Sequence, residues 1–298
     1  MEKLSQIDNC LKTLFPINRS IMGDGVRKTL DILRDTIPLK LLEYPTGQRV
    51  YDWKIPREWK IKNAWIKNSS GKKIIDFQLS NLHVVGYSTP IQKKITLNEL
   101  KKNLHYLKHI PEAIPYRTSY YAESWGFCIS YNQFLEHFQD DEYEVYIDSE
   151  LVNGSLTIGE LLISGKSKKE YLVSCYICHP SMANDSLSGV VATTFIAKEL
   201  LSRKNELEYS YRIVFVPETI GAVTYCANNE TELKSIKKAL VVTTCGGPGK
   251  FGYKQSWDKT NSINSMVEDV FIENEINYET YPFDIHGSDE RQYSSQGF

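Results

Sequence analysis

Apolar and polar positions divide the chain into three regions of different periodicity. From Met1 to about Leu42, apolar residues recur at helical spacing, with an interruption at Pro16. From roughly Tyr44 to Pro115, the pattern changes to short alternating runs punctuated by glycine and proline, which predicts a small β-rich unit. From about Tyr116 to the C-terminus, strand-like apolar runs alternate with helical stretches, which is the order of elements in α/β proteins.

Five strands are predicted in the third region, at 143–147, 161–163, 171–177, 212–216 and 239–243. The last three are nearly continuous in apolar and β-branched residues, as is typical of strands buried on both faces of a parallel sheet. Helical stretches at 189–201 and from about 219 to 238 separate them, so right-handed crossovers would place helices on both faces. We therefore expect an α/β fold with a mixed, mostly parallel sheet between helices, together with a small β-rich unit.

Composition and charge are those of an ordinary globular protein. The 298 residues are 41% hydrophobic and 24% charged, with a formal net charge of −2. A dedicated surface for nucleic acid or anionic membranes usually carries a basic excess, so neither partner is expected. The apolar runs are shorter than the about 18 residues of a membrane span, and the first twenty residues lack a signal-peptide core. We expect a cytoplasmic protein by default, with leaderless export left open.

Side chains that can carry chemistry follow the ends of the predicted strands. His179 and Asp185 come after the third strand, Glu218 after the fourth, and His286 lies in the last segment. In open α/β sheets, sites form beyond the carboxyl ends of the strands, so these residues should meet at one edge. Imidazole and carboxylate bind zinc, and a catalytic zinc site has three protein ligands and an open position. Their convergence favours a metal site, although each residue taken alone also fits a capping or packing role.

Seven stretches of the sequence carry motifs that can be compared with a known family. The most specific are CHPSMANDSLSG at 178–189, PETIG at 217–221 and GSDERQY at 287–293, and the others lie at 18–25, 53–59, 80–88 and 114–128. With these motifs the chain resembles, over essentially its whole length, a bacterial family of aminopeptidase-like zinc exopeptidases with an inserted small β domain. Within that family it is most similar to a compact, zinc carboxypeptidase-like member.

The resemblance implies a domain organisation and roles for individual residues. It implies a zinc-exopeptidase catalytic domain formed by 1–43 and 116–298, with the small β-rich domain inserted at 44–115. It also implies that His179 and Asp185 are metal ligands and that Glu218 is the catalytic carboxylate.

The departures from the family pattern concern the number of metal ions. Thr219 stands where two-zinc relatives carry a second acid, and 246–248 occupy a loop where the family often has another. We therefore expect one zinc per chain rather than two. Longer relatives supply a last ligand from a histidine loop beyond a further strand, and this sequence ends at Phe298 before it, so His286 is expected to be the third ligand.

The expected activity is hydrolysis of the terminal peptide bond of peptide or protein substrates. Glu218 would transfer the proton of the attacking water to the leaving amine, and Asp289 or Glu290 would orient a ligand imidazole. Arg117 or Arg291 would bind a terminal carboxylate through the guanidinium fork, which favours a carboxypeptidase. Two alternatives remain open: an aminopeptidase on the same site, and a catalytically silent relative that binds its partner without metal.

Overall fold

A computed structural model describes residues 2–236, 238–284 and 287–294. The chain forms two compact units, which are described separately. Unit 1 comprises Met1–Ile21, Gly25–Ile55 and Leu156–Phe298, and unit 2 comprises Met22–Asp24 and Pro56–Ser155. In the described parts of the chain, no helix combines the length and the apolar character that a membrane span requires.

The helices and strands are numbered separately along the chain. The helices are α1 (Glu2–Leu14), α2 (Asp24–Arg34), α3 (Leu97–Leu100), α4 (Tyr131–His137), α5 (Gly189–Ser202), α6 (Ile220–Asn228), α7 (Glu230–Ser235), α8 (Ile263–Glu273) and α9 (Glu290–Tyr293). The strands are β1 (Lys40–Pro45), β2 (Arg49–Val50), β3 (Trp53–Lys54), β4 (Glu58–Lys67), β5 (Lys73–Asp76), β6 (Ile91–Thr96), β7 (Leu104–His105), β8 (Phe127–Cys128), β9 (Glu142–Val152), β10 (Ser155–Ile163), β11 (Glu170–Tyr176), β12 (Ser210–Val216), β13 (Lys238–Val241), β14 (Phe251–Lys254) and β15 (Tyr278–Tyr281).

The main sheet of unit 1 has five strands in the order β1-β10-β12-β11-β13. β11 pairs in parallel with both β12 and β13, whereas β10 runs antiparallel to β12. The crossover from β11 to β12 contains α5, and the crossover from β12 to β13 contains α6 and α7. The prediction of an α/β fold with a mixed sheet is confirmed.

Helices cover both faces of this sheet. Successive side chains of a strand point to opposite sides, so their contacts show which helices lie on each face. Cys175 belongs to an apolar core cluster that also takes residues from α1, α2 and α5. The adjacent Ser174 points the other way, and its hydroxyl lies 3.0 Å from that of Tyr293 in α9. On β12, Arg212 donates to the hydroxyl of Tyr225 in α6 at 3.2 Å.

Unit 2 is built on a four-stranded sheet in the order β5-β4-β9-β6. All three pairings in it are antiparallel, and β9 pairs with both β4 and β6. The sequence placed the inserted β-rich domain at 44–115, whereas this compact unit takes in Pro56–Ser155. The central position of β9 in the sheet is what brings the stretch up to 155 into unit 2.

Candidate functional site

The candidate site lies in unit 1, where two neighbouring parallel strands end. Tyr176, the last residue of β11, is in register with Val216, the last residue of β12. His179 follows the first of these strands and Glu218 follows the second. The shared register therefore brings both side chains to the same edge of the sheet.

The imidazole of His179 is held between two carboxylates. Its Nδ1 lies 3.0 Å from Oδ1 of Asp185, and its Nε2 lies 3.2 Å from Oε2 of Glu218. The His179 side chain is only 7% exposed, against 38% for Asp185 and 28% for Glu218. Tyr176 completes the cluster, because its hydroxyl donates to Oδ1 of Asp185 and its ring packs edge-on against His179.

This arrangement shifts the pKa values of the histidine and the aspartate in opposite directions. Burial lowers the pKa of His179, but interaction with Cys178 and hydrogen bonds to Asp185 and Glu218 outweigh burial and raise it. Burial raises the pKa of Asp185, but the hydrogen bond and charge of His179 and the Tyr176 hydroxyl outweigh it and lower the pKa. The two carboxylates therefore favour the protonated ring in the metal-free protein, and because a metal ion binds the neutral imidazole, its binding would release a proton.

Cys178 is a component of the site to which the sequence analysis assigned no role. The backbone N–H of Glu218 donates to its Sγ at 3.3 Å. Cys178, His179 and Glu218 each offer a ligand atom, and these atoms lie within 4.8 Å of one another. In the sequence, Cys178 was marked only by its place immediately before His179, at the start of the motif at 178–189.

Arg19 is a second component that sequence reasoning missed, although it lies within the motif at 18–25. Its Nε donates to the carbonyl of His179 at 2.9 Å, and its Nη1 donates to the carbonyl of Leu14 at 2.6 Å. The side chain is 1% exposed, and burial lowers its pKa to about 10. Arg19 therefore fixes the backbone of His179 and brings a buried positive charge close to the site.

The two acids that were expected to orient a ligand have other contacts in the described chain. Asp289 is fully buried, and its Oδ1 accepts a hydrogen bond from the N–H of Thr219 at 2.7 Å. Glu290 accepts from the N–H of Ser288 at 3.0 Å and pairs with Lys254 at 3.1 Å. Burial, with Glu218 and Glu290 nearby, raises the pKa of Asp289 to about 8 despite the bond from Thr219.

Three expected site residues remain: His286, Arg291 and Arg117. His286 lies outside the described residues. Arg291 is in α9 of unit 1, where its Nε donates to the carbonyl of Ser288 at 3.2 Å. Arg117 is exposed and belongs to unit 2, where its carbonyl accepts from the N–H of Gly86 at 2.8 Å.

A cavity of about 610 Å³ in unit 1 opens onto the site. Glu218 and Tyr176 form part of its wall, together with the side chains of Lys254, Trp257 and Phe283. The rings of Trp257 and Phe283 meet edge to face, with centroids 5.5 Å apart, and Trp257 is 68% exposed. Glu218 thus stands between the buried imidazole and a space large enough to hold part of a peptide.

The donor atoms of the site fit zinc. One imidazole and two carboxylates are ligands that zinc accepts, and neutral imidazole and ionised carboxylate are the forms that bind. Two ligand atoms on a tetrahedral zinc lie about 3.4 Å apart, given metal–ligand distances of about 2.1 Å. An ion can bind only one nitrogen of the His179 ring, and the nitrogen–oxygen separation there, 3.0 Å to Asp185 at Nδ1 or 3.2 Å to Glu218 at Nε2, approaches that spacing.

The chain is similar over nearly its whole length to one named protein and to one solved structure from the same organism. It is 50% identical over 292 residues to a Clostridium acetobutylicum protein named "Putative polysaccharide biosynthesis protein with aminopeptidase-like domain", covering 98% of this chain and 67% of that protein. The crystal structure of a "putative peptidase" from the same organism matches with a TM-score of 0.94 and 49% identity, covering 99% of this chain and 69% of the other.

A zinc aminopeptidase from Bacillus subtilis shows the same fold at a TM-score of 0.69 and 11% identity, over 98% of this chain and 81% of that chain. At that identity the likeness extends to the fold alone. The expected resemblance to aminopeptidase-like proteins is therefore confirmed for the fold. The family model described as "Domain of unknown function (DUF4910)" matches residues 8–298, and the chain belongs to this family.

Proposed function

We propose that this protein is a zinc-dependent exopeptidase that hydrolyses the terminal bond of peptide or protein substrates. The observation that carries the proposal is the His179 imidazole, which contacts the carboxylates of Asp185 and Glu218 beside a cavity of about 610 Å³. Two of the similar structures, one named a "putative peptidase" and one a zinc aminopeptidase, support the same class of reaction.

In this proposal His179 and Asp185 hold one zinc ion, and His286 is the third ligand. A bound zinc ion would polarise the scissile carbonyl and lower the pKa of a water molecule. The expectation of one ion rests on the two positions where relatives carry further acids. Thr219 has no carboxylate, and the N–H of Gly246 in the second position donates to Oδ1 of Asn184 at 2.8 Å.

Glu218 acts as the general base. Its carboxylate is 28% exposed and borders the cavity, so it can accept a proton from a water molecule at the substrate and return it to the leaving amine. The hydrogen bond from its backbone N–H to Cys178 holds the main chain of Glu218, while its carboxylate transfers the proton.

The geometry is also compatible with the opposite assignment, in which Glu218 is the metal ligand and Asp185 orients the imidazole ring. A metal on Nε2 of His179 would make Glu218 a ligand, and Asp185 on Nδ1 would then orient the ring, as carboxylates do in many metal sites. The two assignments predict different zinc retention in the amide variants of Asp185 and Glu218.

The direction of cleavage rests on the arginines. Arg117 and Arg291 are the candidates for binding a terminal carboxylate, so the carboxypeptidase direction stays our first prediction. The compact, zinc carboxypeptidase-like family member that the sequence resembles most is the rapid encystment phenotype protein, and this finer resemblance is part of the same prediction. An aminopeptidase on the same site is the second. A silent, metal-free binding protein is the third, and it differs from the other two in metal content.

One experiment separates the three candidates. Zinc in the purified protein is measured by elemental analysis, and the zinc-loaded protein is then assayed on two matched peptides, one N-acetylated with a free C-terminus and one C-amidated with a free N-terminus. One zinc per chain with cleavage of the acetylated peptide alone supports the carboxypeptidase. Cleavage of the amidated peptide alone means an aminopeptidase, and absence of both zinc binding and cleavage means the silent protein.

A further inference from the structure

Thr219, the residue after Glu218, has a backbone conformation that few residues adopt. Its φ is 62° and its ψ is −75°. The N–H of Ile220 donates to the carbonyl of Glu218 at 2.7 Å, which closes a three-residue γ-turn centred on Thr219. The positive-φ form of this turn is rare and strained, and a β-branched side chain adds a steric penalty. Such a conformation persists only where the surroundings hold it.

Asp289 provides the contact that holds this turn. Its Oδ1 accepts a hydrogen bond from the N–H of Thr219 at 2.7 Å, across 70 residues of sequence. Asp289 stands at the N-terminus of α9, where an aspartate usually accepts a bond from its own helix. Its side chain makes no such bond. The carboxyl group is fully buried and directed at the turn instead, and Oδ2 has no hydrogen-bond partner among the described residues.

Both backbone N–H groups around the proposed base are therefore bound by buried side chains from elsewhere in the chain. The N–H of Glu218 is bound by Cys178, and the N–H of Thr219 is bound by Asp289. Between these two anchors, the Glu218 side chain projects to Nε2 of His179 at 3.2 Å. Release of either anchor would let the γ-turn relax and would change the direction of the carboxylate.

We propose that Asp289 is a positioning residue: by binding the N–H of Thr219 it holds the strained turn that directs Glu218 at His179. The catalytic part of this inference rests on the proposed function, whereas the structural part does not. Burial raises the pKa of Asp289 to about 8, and Oδ1 can accept the bond from Thr219 in either protonation state. The side-chain carbonyl of asparagine can replace it.

The test compares Asp289→Ala and Asp289→Asn, with Glu279→Ala as a matched loss of an exposed carboxylate in unit 1. Amide hydrogen exchange at Thr219 is followed by NMR, and the distance from Oε2 of Glu218 to Nε2 of His179 is measured in crystal structures. With zinc bound, kcat and KM are measured on the better peptide substrate. We expect Asp289→Ala to speed exchange at Thr219 and to lengthen the distance beyond hydrogen-bonding range, while kcat falls on the order of 10²-fold at nearly constant KM. Asp289→Asn and Glu279→Ala should stay close to wild type.

A second substitution separates positioning from general support of the fold. Thr219→Gly removes the side chain that makes positive φ costly. Added to Asp289→Ala, it should restore much of the kcat and the Glu218–His179 distance, because glycine keeps the turn without the anchor. If Asp289→Ala does not fold, refolding of the double variant supports the same conclusion.

Unchanged exchange at Thr219 in Asp289→Ala, or an unchanged Glu218–His179 distance, would overturn the proposal. Equal damage from asparagine and alanine would also overturn it, because asparagine keeps the acceptor. A wild-type protein that cleaves no peptide would refute the proposed function. The exchange rates and the distance would still decide whether Asp289 holds the turn.

Discussion

Nε2 of His179 lies 3.2 Å from Oε2 of Glu218, while Nδ1 of the same ring bonds to Asp185. Each ring nitrogen therefore faces a carboxylate. Only one nitrogen can accept the metal, so one carboxylate shares the ion and the other accepts the remaining N–H. Asp185 and Glu218 can each share the ion or accept the N–H, and amide variants of the two residues distinguish these roles.

Replacement of Glu218 by glutamine keeps the shape of the side chain and removes the base. If Glu218 is the general base, Glu218→Gln retains zinc and loses on the order of 10²–10⁴-fold in kcat. The matched Asp185→Asn removes the charge on the other side of the ring and should release zinc. Elemental analysis after dialysis at low metal concentration checks both. Release of zinc by Glu218→Gln and retention by Asp185→Asn would exchange the two roles.

His286 is tested by zinc affinity rather than by rate. As a ligand, its replacement by alanine should weaken zinc binding by more than the about 10–100-fold that loss of an outer-sphere partner costs. Competition with a fluorescent chelator measures this affinity. His109→Ala, which removes an exposed histidine of unit 2, is the control. Equal affinities of the two variants would place the third ligand elsewhere.

The arginines are tested by the apparent affinity for substrate. Breaking an ion pair that substrate binding has buried typically costs about 3–5 kcal/mol. Loss of the arginine that binds a terminal carboxylate should therefore raise KM on the order of 10²–10³-fold. The variants are Arg117→Ala and Arg291→Ala, assayed on an N-acetylated peptide with their zinc content verified. Arg203→Ala, which breaks an exposed pair with Glu206, is the control. An unchanged KM in both test variants would contradict the carboxypeptidase direction.

The raised pKa of Asp289 predicts how stability changes with pH. Its ordinary value is 3.8 and its folded value is about 8, so between these values the folded protein binds a proton that the unfolded chain releases. Stability contributed by this group is complete below pH 3.8 and is lost as the pH rises through about 8. The maximum slope is about 1.4 kcal/mol per pH unit.

Urea unfolding of chelator-treated protein between pH 4 and 8 measures this effect. Relative to Asp289→Asn, the wild type should lose free energy of unfolding as the pH rises. Asp269→Asn, which changes an exposed carboxylate on α8, should follow the wild type. Parallel curves for wild type and Asp289→Asn would show that Asp289 ionises normally.

Much of the fold could be predicted from the sequence because its main strands are recognisable from the local pattern of apolar residues. The continuous apolar runs of β11 and β12 and the helix between them identified the parallel core of unit 1. The helix expected from about 219 to 238 is instead divided into α6 and α7 at Asn229, where φ is −132°. The central place of β9 between β4 and β6 depends on long-range pairing, which no local pattern reveals.

The candidate site could also be predicted only in part from the sequence. His179 and Glu218 could be found because they follow strands, and strand ends in an α/β sheet meet at one edge. Arg19 and Cys178 could not be found, because their roles depend on partners 160 and 40 residues away. The acceptor for Thr219 is likewise visible only once α9 is folded against the turn.

The hydrogen bond from Arg19 to the carbonyl of His179 has a consequence for the order of events during synthesis. The two residues are 160 positions apart, and a ribosome adding about 5–20 residues per second separates their emergence by roughly 8–32 s. During that interval the Arg19 guanidinium lacks its His179 acceptor, and all of unit 2 is synthesised. The contact that fixes the backbone of His179 to the N-terminal segment of unit 1 can therefore form only after unit 2 has been synthesised.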